Sequence, residues 1–160
     1  MRVARVRWRE VVVLRDLADR VRVVNLHGVR VSGADAFSCL RVDRSTPLGN
    51  PFPVLGVGRW SERTEAAIRL AFPLGSAVFD EARRAGGFGR GATLDAYRTW
   101  LRVCLRESGP VRVAVEDLVS RVASGERLAL GCFCAPRPCH AEVVREVVLG
   151  LVRERLSAPE

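Results

Sequence analysis

The chain contains no lysine and no glutamine, and isoleucine occurs once, at Ile68. All 26 of its basic residues are therefore arginine. Codon usage in a GC-rich genome accounts for that choice of cation, but not for the formal net charge of +8. A surplus of this size tilts the partner class toward phosphate-bearing molecules, nucleotide or nucleic acid; solubility alone is the plainer explanation. No apolar run approaches the about 18 residues of a membrane span. The start, Met1-Arg-Val-Ala-Arg-Val-Arg-Trp-Arg9, lacks the unbroken apolar core of a signal peptide. A cytoplasmic, reducing compartment is the resulting expectation, in which cysteines serve as metal ligands or reactive thiols rather than disulfides. The odd count of five cysteines agrees. The Cys-x-x-Cys pairs of a zinc ribbon are absent, as are internal repeats and low-complexity tracts.

A chain of 160 residues fits one domain, large enough to bury about two-thirds of its unfolded surface. It does not need a metal or a disulfide in order to fold. Residues 1–20 form a basic prelude, either an edge strand or an extension. Val21 to Leu26 and Phe37 to Val42 read as strands, β-branched or apolar and bounded by turn residues. Ser61 to Ala71 reads as a helix with Ser61 as N-cap and Ala66, Ala67 and Leu70 on its stripe. Residues 72–92 hold Pro73 and glycines 75, 86, 87, 89 and 91, and read as a mobile surface insertion around a short helical piece. Thr93 to Arg106 and Val111 to Ser124 are predicted helices, Arg127 to Phe133 a central strand, and Ala141 to Leu156 a closing helix. Strands interleaved with helices indicate an α/β domain over residues 21–157, a small three-layer sheet with helices packed on it.

Chemistry concentrates in one run, Gly131-Cys-Phe-Cys-Ala-Pro-Arg-Pro-Cys-His140. Cys132, Cys134, Cys139 and His140 are four of the seven cysteines and histidines in the chain. Thiolates and imidazole are what zinc and iron–sulfur clusters select. Cys132 and Cys134 lie two apart at a strand end, so they share a face. Cys139 and His140 fall at a helix start, where the dipole lowers a thiol pKa. Strand ends followed by helix starts are where open α/β sheets bind ligands. Three readings stand: a metal site, a catalytic thiolate with His140 as base or ligand, and cysteines acting as small apolar side chains. Adjacent side chains at 139 and 140 are expected to diverge, which favours three cysteines and an open position. Cys134-x4-Cys139-His140 also looks like an expanded c-type haem attachment, a reading that the missing export signal disfavours.

The second dense stretch is Arg41-Val-Asp-Arg-Ser-Thr-Pro-Leu-Gly-Asn-Pro-Phe52. Gly49 can take positive φ, and Pro51 holds Asn50 extended, so that an amide is presented in a fixed pose. Arg44 is suited to a phosphate or carboxylate. The alternative is a rigid turn with Phe52 in the core and Arg44 paired with Asp43.

Val23-Val-Asn25, Arg41-Val-Asp-Arg44, Gly49-Asn-Pro-Phe52, Tyr97-x-x-Trp-Leu101 and the 131–140 run together resemble a small bacterial and phage family catalogued only as a domain of unknown function. The resemblance covers residues 21 to 150. The basic prelude and the 72–92 segment depart from it, and both are placed outside any site. It implies no established reaction, but it implies that Asn25, Arg44, Asn50 and the cysteine loop form one site. Tyr97 and Trp100 are read as core aromatics.

The resulting expectation is one pocket gathering Asn25, Asp43, Arg44, Gly49, Asn50 and the 132–140 loop. Cys132, Cys134 and Cys139, with His140 as fourth, would hold zinc, with an iron–sulfur cluster as the alternative. Asn50 and Arg44 would orient a phosphorylated or nucleobase ligand. In an enzyme, metal-activated water or a Cys139 thiolate, with His140 and Asn50 assisting, would act on a nucleotide or nucleic-acid base. The rivals are a non-catalytic nucleic-acid-associated module with a structural metal, and a thiol or iron–sulfur redox protein.

Overall fold

Three parallel strands form the sheet: β1 (Val21–Asn25), β2 (Ser38–Arg41) and β3 (Leu128–Cys132), in the order β1-β3-β2. The computed structural model describes residues 16–27 and 37–158. Most of the basic prelude, and the turn between β1 and β2, lie outside the described residues. Every residue of β3 is buried, as its central place requires. Val21 lies opposite Leu128, Val23 opposite Leu130 and Asn25 opposite Cys132. Leu40 pairs with Leu130 on the other side. The α/β architecture read from the sequence, a small sheet with helices packed on it in one domain, is the one observed.

The helices are α1 (Glu62–Ala71), a 3-10 turn (Ser76–Phe79), α2 (Asp80–Ala85), α3 (Arg90–Arg106), α4 (Pro110–Ala123) and α5 (His140–Ser157). Helix α5 packs on β1 and β3 and against α3 and α4, while α1 packs on α3. Val144, Val148 and Val152, at four-residue spacing, are fully buried along α5. Among the described residues no helix is long and apolar enough to cross a membrane.

Ser61 caps α1 as expected, in a capping box with Thr64. The inner face of α1 is rotated from the expected one: Thr64, Ala67 and Ile68 are buried, while Leu70 is exposed. A polar residue takes the inner position because its hydroxyl donates to the Pro51 carbonyl at 2.8 Å.

Residues 72–92 differ more from expectation. They are not peripheral, because Phe79 and Phe88 are buried. Phe88 meets Phe52 edge-on at 5.8 Å and stacks on Trp60 at 5.5 Å between centroids, and Phe72 and Phe79 complete the cluster. The glycines turn the segment so that Phe72 and Phe88 fold back on Phe52, with Phe79 packed against both. Gly87 serves this directly, since a Cβ there would meet the Leu55 backbone at 2.8 Å.

Candidate metal centre

The carboxyl ends of all three strands meet at one place. Asn25 ends β1, Cys132 ends β3, and Val42-Asp43 follows β2. The start of α5 faces the same place with Cys139 and His140. The three Sγ atoms of Cys132, Cys134 and Cys139 and a ring nitrogen of His140 all lie within 4.8 Å of one another. This group is positioned to bind a metal ion.

Backbone conformation explains why two consecutive side chains converge where divergence was expected. Cys139 is the N-cap of α5 with φ −133° and ψ 140°, an extended geometry. His140 is already helical, and this change of conformation between neighbours brings both side chains round to the same point. The Cys139 sulfur also accepts from the Ala141 amide at 3.4 Å, as an N-cap oxygen does in other helices. Such a donor favours the thiolate.

His140 is 4% exposed, and its Nε2 donates to the Val42 carbonyl at 2.6 Å. That bond fixes the tautomer and leaves the Nδ1 lone pair for the sulfurs, which lie 3.9 Å away at Cys132 and 4.0 Å away at Cys139. Tetrahedral zinc, with bonds of about 2.0 to 2.3 Å, sets its ligand atoms about 3.5 to 3.8 Å apart. The residues therefore fit a single four-coordinate ion. Burial lowers the His140 pKa, but hydrogen bonds with Cys132 and Cys134 override it and push the value up to about 9, so without an ion Nδ1 carries a proton toward the sulfurs, and a bound metal would take that proton's place. Contacts with Cys132, Cys139 and His140 hold Cys134 well below the usual thiol range, and the contacts of Cys139 with Cys132 and Cys134, with burial, hold Cys139 well above it.

The surrounding loops hold it in position. Asn25 donates through Nδ2 to the Ala135 carbonyl and accepts from the His27 amide at 2.7 Å, so its amide braces the cysteine loop. The Ala135-Pro136 peptide is cis. Asp43 is buried and accepts from the Ser45 amide at 2.9 Å and from Arg41 Nε at 2.7 Å. Burial works to raise the Asp43 pKa, yet the bonds from Ser45 and the Arg41 guanidinium leave it below the ordinary carboxylate value. The ion pair expected between Asp43 and Arg44 is therefore replaced by one with Arg41. Arg44 instead donates to the Phe52 carbonyl at 3.0 Å. Its guanidinium occupies space left by Gly58, where a Cβ would meet Nη1 at 2.3 Å. Partial desolvation lowers the Arg44 pKa, against the opposing charges of Cys134 and Cys132, with which it shares a cavity wall.

Gly49 is required for close approach rather than for positive φ. A Cβ there would meet the Asp43 carbonyl oxygen at 2.2 Å, and its φ is not positive. Asn50 is buried rather than presented outward, and its Oδ1 accepts from the Phe52 amide at 2.9 Å. Among the described residues its Nδ2 has no partner.

A cavity of about 700 Å³ opens beside the cluster. Cys132, Cys134 and His140 lie on its wall, together with Asn25, Asp43, Arg44 and Asn50. The chain's only two asparagines and only two histidines all line it. Cys139 does not line it, and at 3% exposure it sits behind the other ligands. Gly49 also lies off the wall, packed under Asp43-Arg44. Arg41, Arg90 and Arg137 line the cavity as well, and sequence reading had passed over all three. Arg63 was also missed. It does not touch the cavity, but it donates to the carbonyls of Arg44, Thr46, Pro47 and Gly49 at 2.9 to 3.2 Å, and so sets the shape of the loop. No motif marks it, because its partners are backbone atoms.

Residues 29–150 match the family described as Domain of unknown function (DUF4326). The chain belongs to that family. The matched span includes the Gly49–Phe52 loop and the whole cysteine cluster and begins after Asn25. Among curated proteins and solved structures, nothing matches.

Proposed function

We propose that Cys132, Cys134, Cys139 and His140 hold one zinc ion, and that the cavity walled by this centre binds a phosphate-bearing ligand of the nucleotide or nucleic-acid class. The observation that carries the metal reading is the convergence of four ligand atoms within 4.8 Å. A four-iron cluster places each cysteine on a different iron, so its sulfurs stand farther apart than the ligands of one ion. The compact set therefore favours zinc over the iron–sulfur alternative. Arginine dominates the cavity wall, at Arg41, Arg44, Arg90 and Arg137, against the single carboxylate of Asp43, which is already bonded to Arg41 and Ser45. That balance supports an anionic ligand.

With four protein ligands the zinc is coordinatively filled, as in structural rather than catalytic sites. When bound, it supplies a crosslink between the end of β3 and the start of α5. The geometry thus supports a binding module with a structural metal better than a hydrolase. Cys139 suits a ligand more than a nucleophile, being buried behind the wall. Asn25 and Asp43 act on the loops, and Asn50 is left as the polar group facing the ligand.

Cobalt(II) substitution tests the metal reading. The protein is expected to develop the intense visible and near-ultraviolet bands of a tetrahedral thiolate site, and Cys134→Ser to lose most of them. A weak octahedral spectrum, unchanged by C134S, would sink the proposal.

A further inference from the structure

Beyond its arginines the cavity carries an aromatic surface, formed by Phe133 and His27. Phe133 lies between two ligand positions, yet its side chain stays out in solvent at 46% exposure. The ring packs against His27 at 4.9 Å between centroids, and the Arg41 guanidinium sits 5.8 Å from its centre. Phe133, His27 and Arg41 all line the cavity. A half-exposed aromatic flanked by a guanidinium is the kind of surface on which nucleobases stack.

The opposite requirement, a polar group with no protein partner, is met by Asn50. It is 6% exposed, its Oδ1 is committed to the Phe52 amide, and its Nδ2 has no partner among the described residues. Asn50 lines the cavity, so this amide is a donor open to a ligand there. A cavity of about 700 Å³ falls within the size range of small-molecule and cofactor sites.

We infer that the cavity takes a single nucleoside phosphate unit. Its base stacks on Phe133 beside His27, its phosphate lies among Arg44, Arg90 and Arg137, and the Asn50 amide donates to an acceptor on the ligand. This inference rests on the anion-binding reading above and specifies its ligand. The same chemistry is offered by a free nucleotide and by the terminal unit of a single strand.

The test uses the full chain with its metal content verified, and measures equilibrium binding of three probes at one salt concentration: inorganic phosphate, adenosine 5′-monophosphate and an eight-residue oligothymidylate. The monophosphate is expected to bind about tenfold or more tighter than inorganic phosphate, because stacking adds to the charge contacts. Phe133→Ala should weaken the monophosphate by about fivefold to a hundredfold while leaving phosphate unchanged. Phe133→Trp should retain the affinity, which shows that ring loss rather than misfolding is responsible. Arg137→Ala should weaken both probes together. Oligothymidylate binding much tighter than the monophosphate identifies a strand end as the source, and equal or weaker binding identifies a free nucleotide. Phosphate and monophosphate binding equally, or F133A leaving the monophosphate unaffected, overturns the inference but spares anion binding. Silence from all three probes on metal-loaded protein overturns both.

Discussion

Gly49 shows how a single missing side chain sets the site. Its Cα lies so close to the Asp43 carbonyl that any Cβ falls 2.2 Å from that oxygen and 2.4 Å from the Arg44 Cα. Both obstacles are backbone and cannot swing aside. Gly49→Ala is expected to cost about 1 to 3 kcal/mol, in the range of overpacked cores, as measured by urea denaturation, and to weaken binding in the cavity as Arg44 and Asn50 shift. An unchanged midpoint would mean that the loop adapts freely. Gly49 was recognisable in the sequence as special, but for the wrong reason. Positive φ is a local property that a Gly-Asn-Pro string suggests, whereas close approach depends on which distant backbone comes near. Cys139 and His140 teach the same lesson. Divergence of adjacent side chains holds inside a strand or helix, and it fails where an extended N-cap meets the first helical residue.

At the scale of elements, the 43–53 loop is held from three directions. Arg63 grips its carbonyls, Thr64 takes the Pro51 carbonyl, and the buried Tyr97 hydroxyl donates to the Leu48 carbonyl at 2.7 Å. Hydrogen bonds from a charged donor contribute about 1.5 to 3 kcal/mol, so Arg63→Ala is expected to lower stability by about that amount while leaving α1 intact, since Ser61 and Thr64 still cap it. Hydrogen exchange should show the loss in the 44–49 amides first.

The strands were legible as short β-branched or apolar runs bounded by turn residues, and the helices because burial repeats near 3.6 residues and caps are local. Residues 72–92 were not, because counting Gly and Pro as breakers ignored Phe72 and Phe88, which meet Phe52 far back in the chain, and Phe79, which packs between those two. Glu65 secures that segment from α1. The hydrogen bonds from the Arg83 guanidinium and then the Trp60 indole hold its carboxyl at about 2. Arg121 and Ser38 likewise hold Glu126 at about 2, joining β2 to the turn before β3. Both values lie below the ordinary 4.5, so the stabilisation is complete above that pH. It is lost as pH falls from about 4.5 toward 2. The denaturation midpoint should therefore drop across that window, less so in Glu65→Gln and Glu126→Gln. Equal slopes in all three proteins would remove these pairs from the account.

For the whole molecule, a core of fully buried side chains such as Tyr97, Phe52, Leu101 and Leu130 runs from the sheet through α3, and the metal centre sits at its edge. Cysteine spacing located that centre in the sequence. The cavity was only half legible, because Arg41, Arg90 and Arg137 reach it from three separate stretches and nothing in an all-arginine set of cations distinguishes them. The net charge of +8 and the arginine wall together imply that affinity for a phosphate-bearing ligand falls with salt, modestly for one phosphate and steeply for a strand that engages several. Raising salt from 50 to 200 mM should weaken oligothymidylate binding by tenfold or more if several phosphates are engaged. A flat salt response would exclude phosphate contacts as the source of affinity.

The cysteine–histidine cluster underlies all of this, because a metal held there would fix the wall from which Phe133 projects. Elemental analysis of protein purified anaerobically without added metal is the most direct test. About one equivalent of zinc per chain is expected, in colourless protein, and its retention should fail in Cys132→Ser while the far-ultraviolet circular dichroism is kept. Less than about a tenth of an equivalent of any transition metal, with the thiols free to react, would contradict the account.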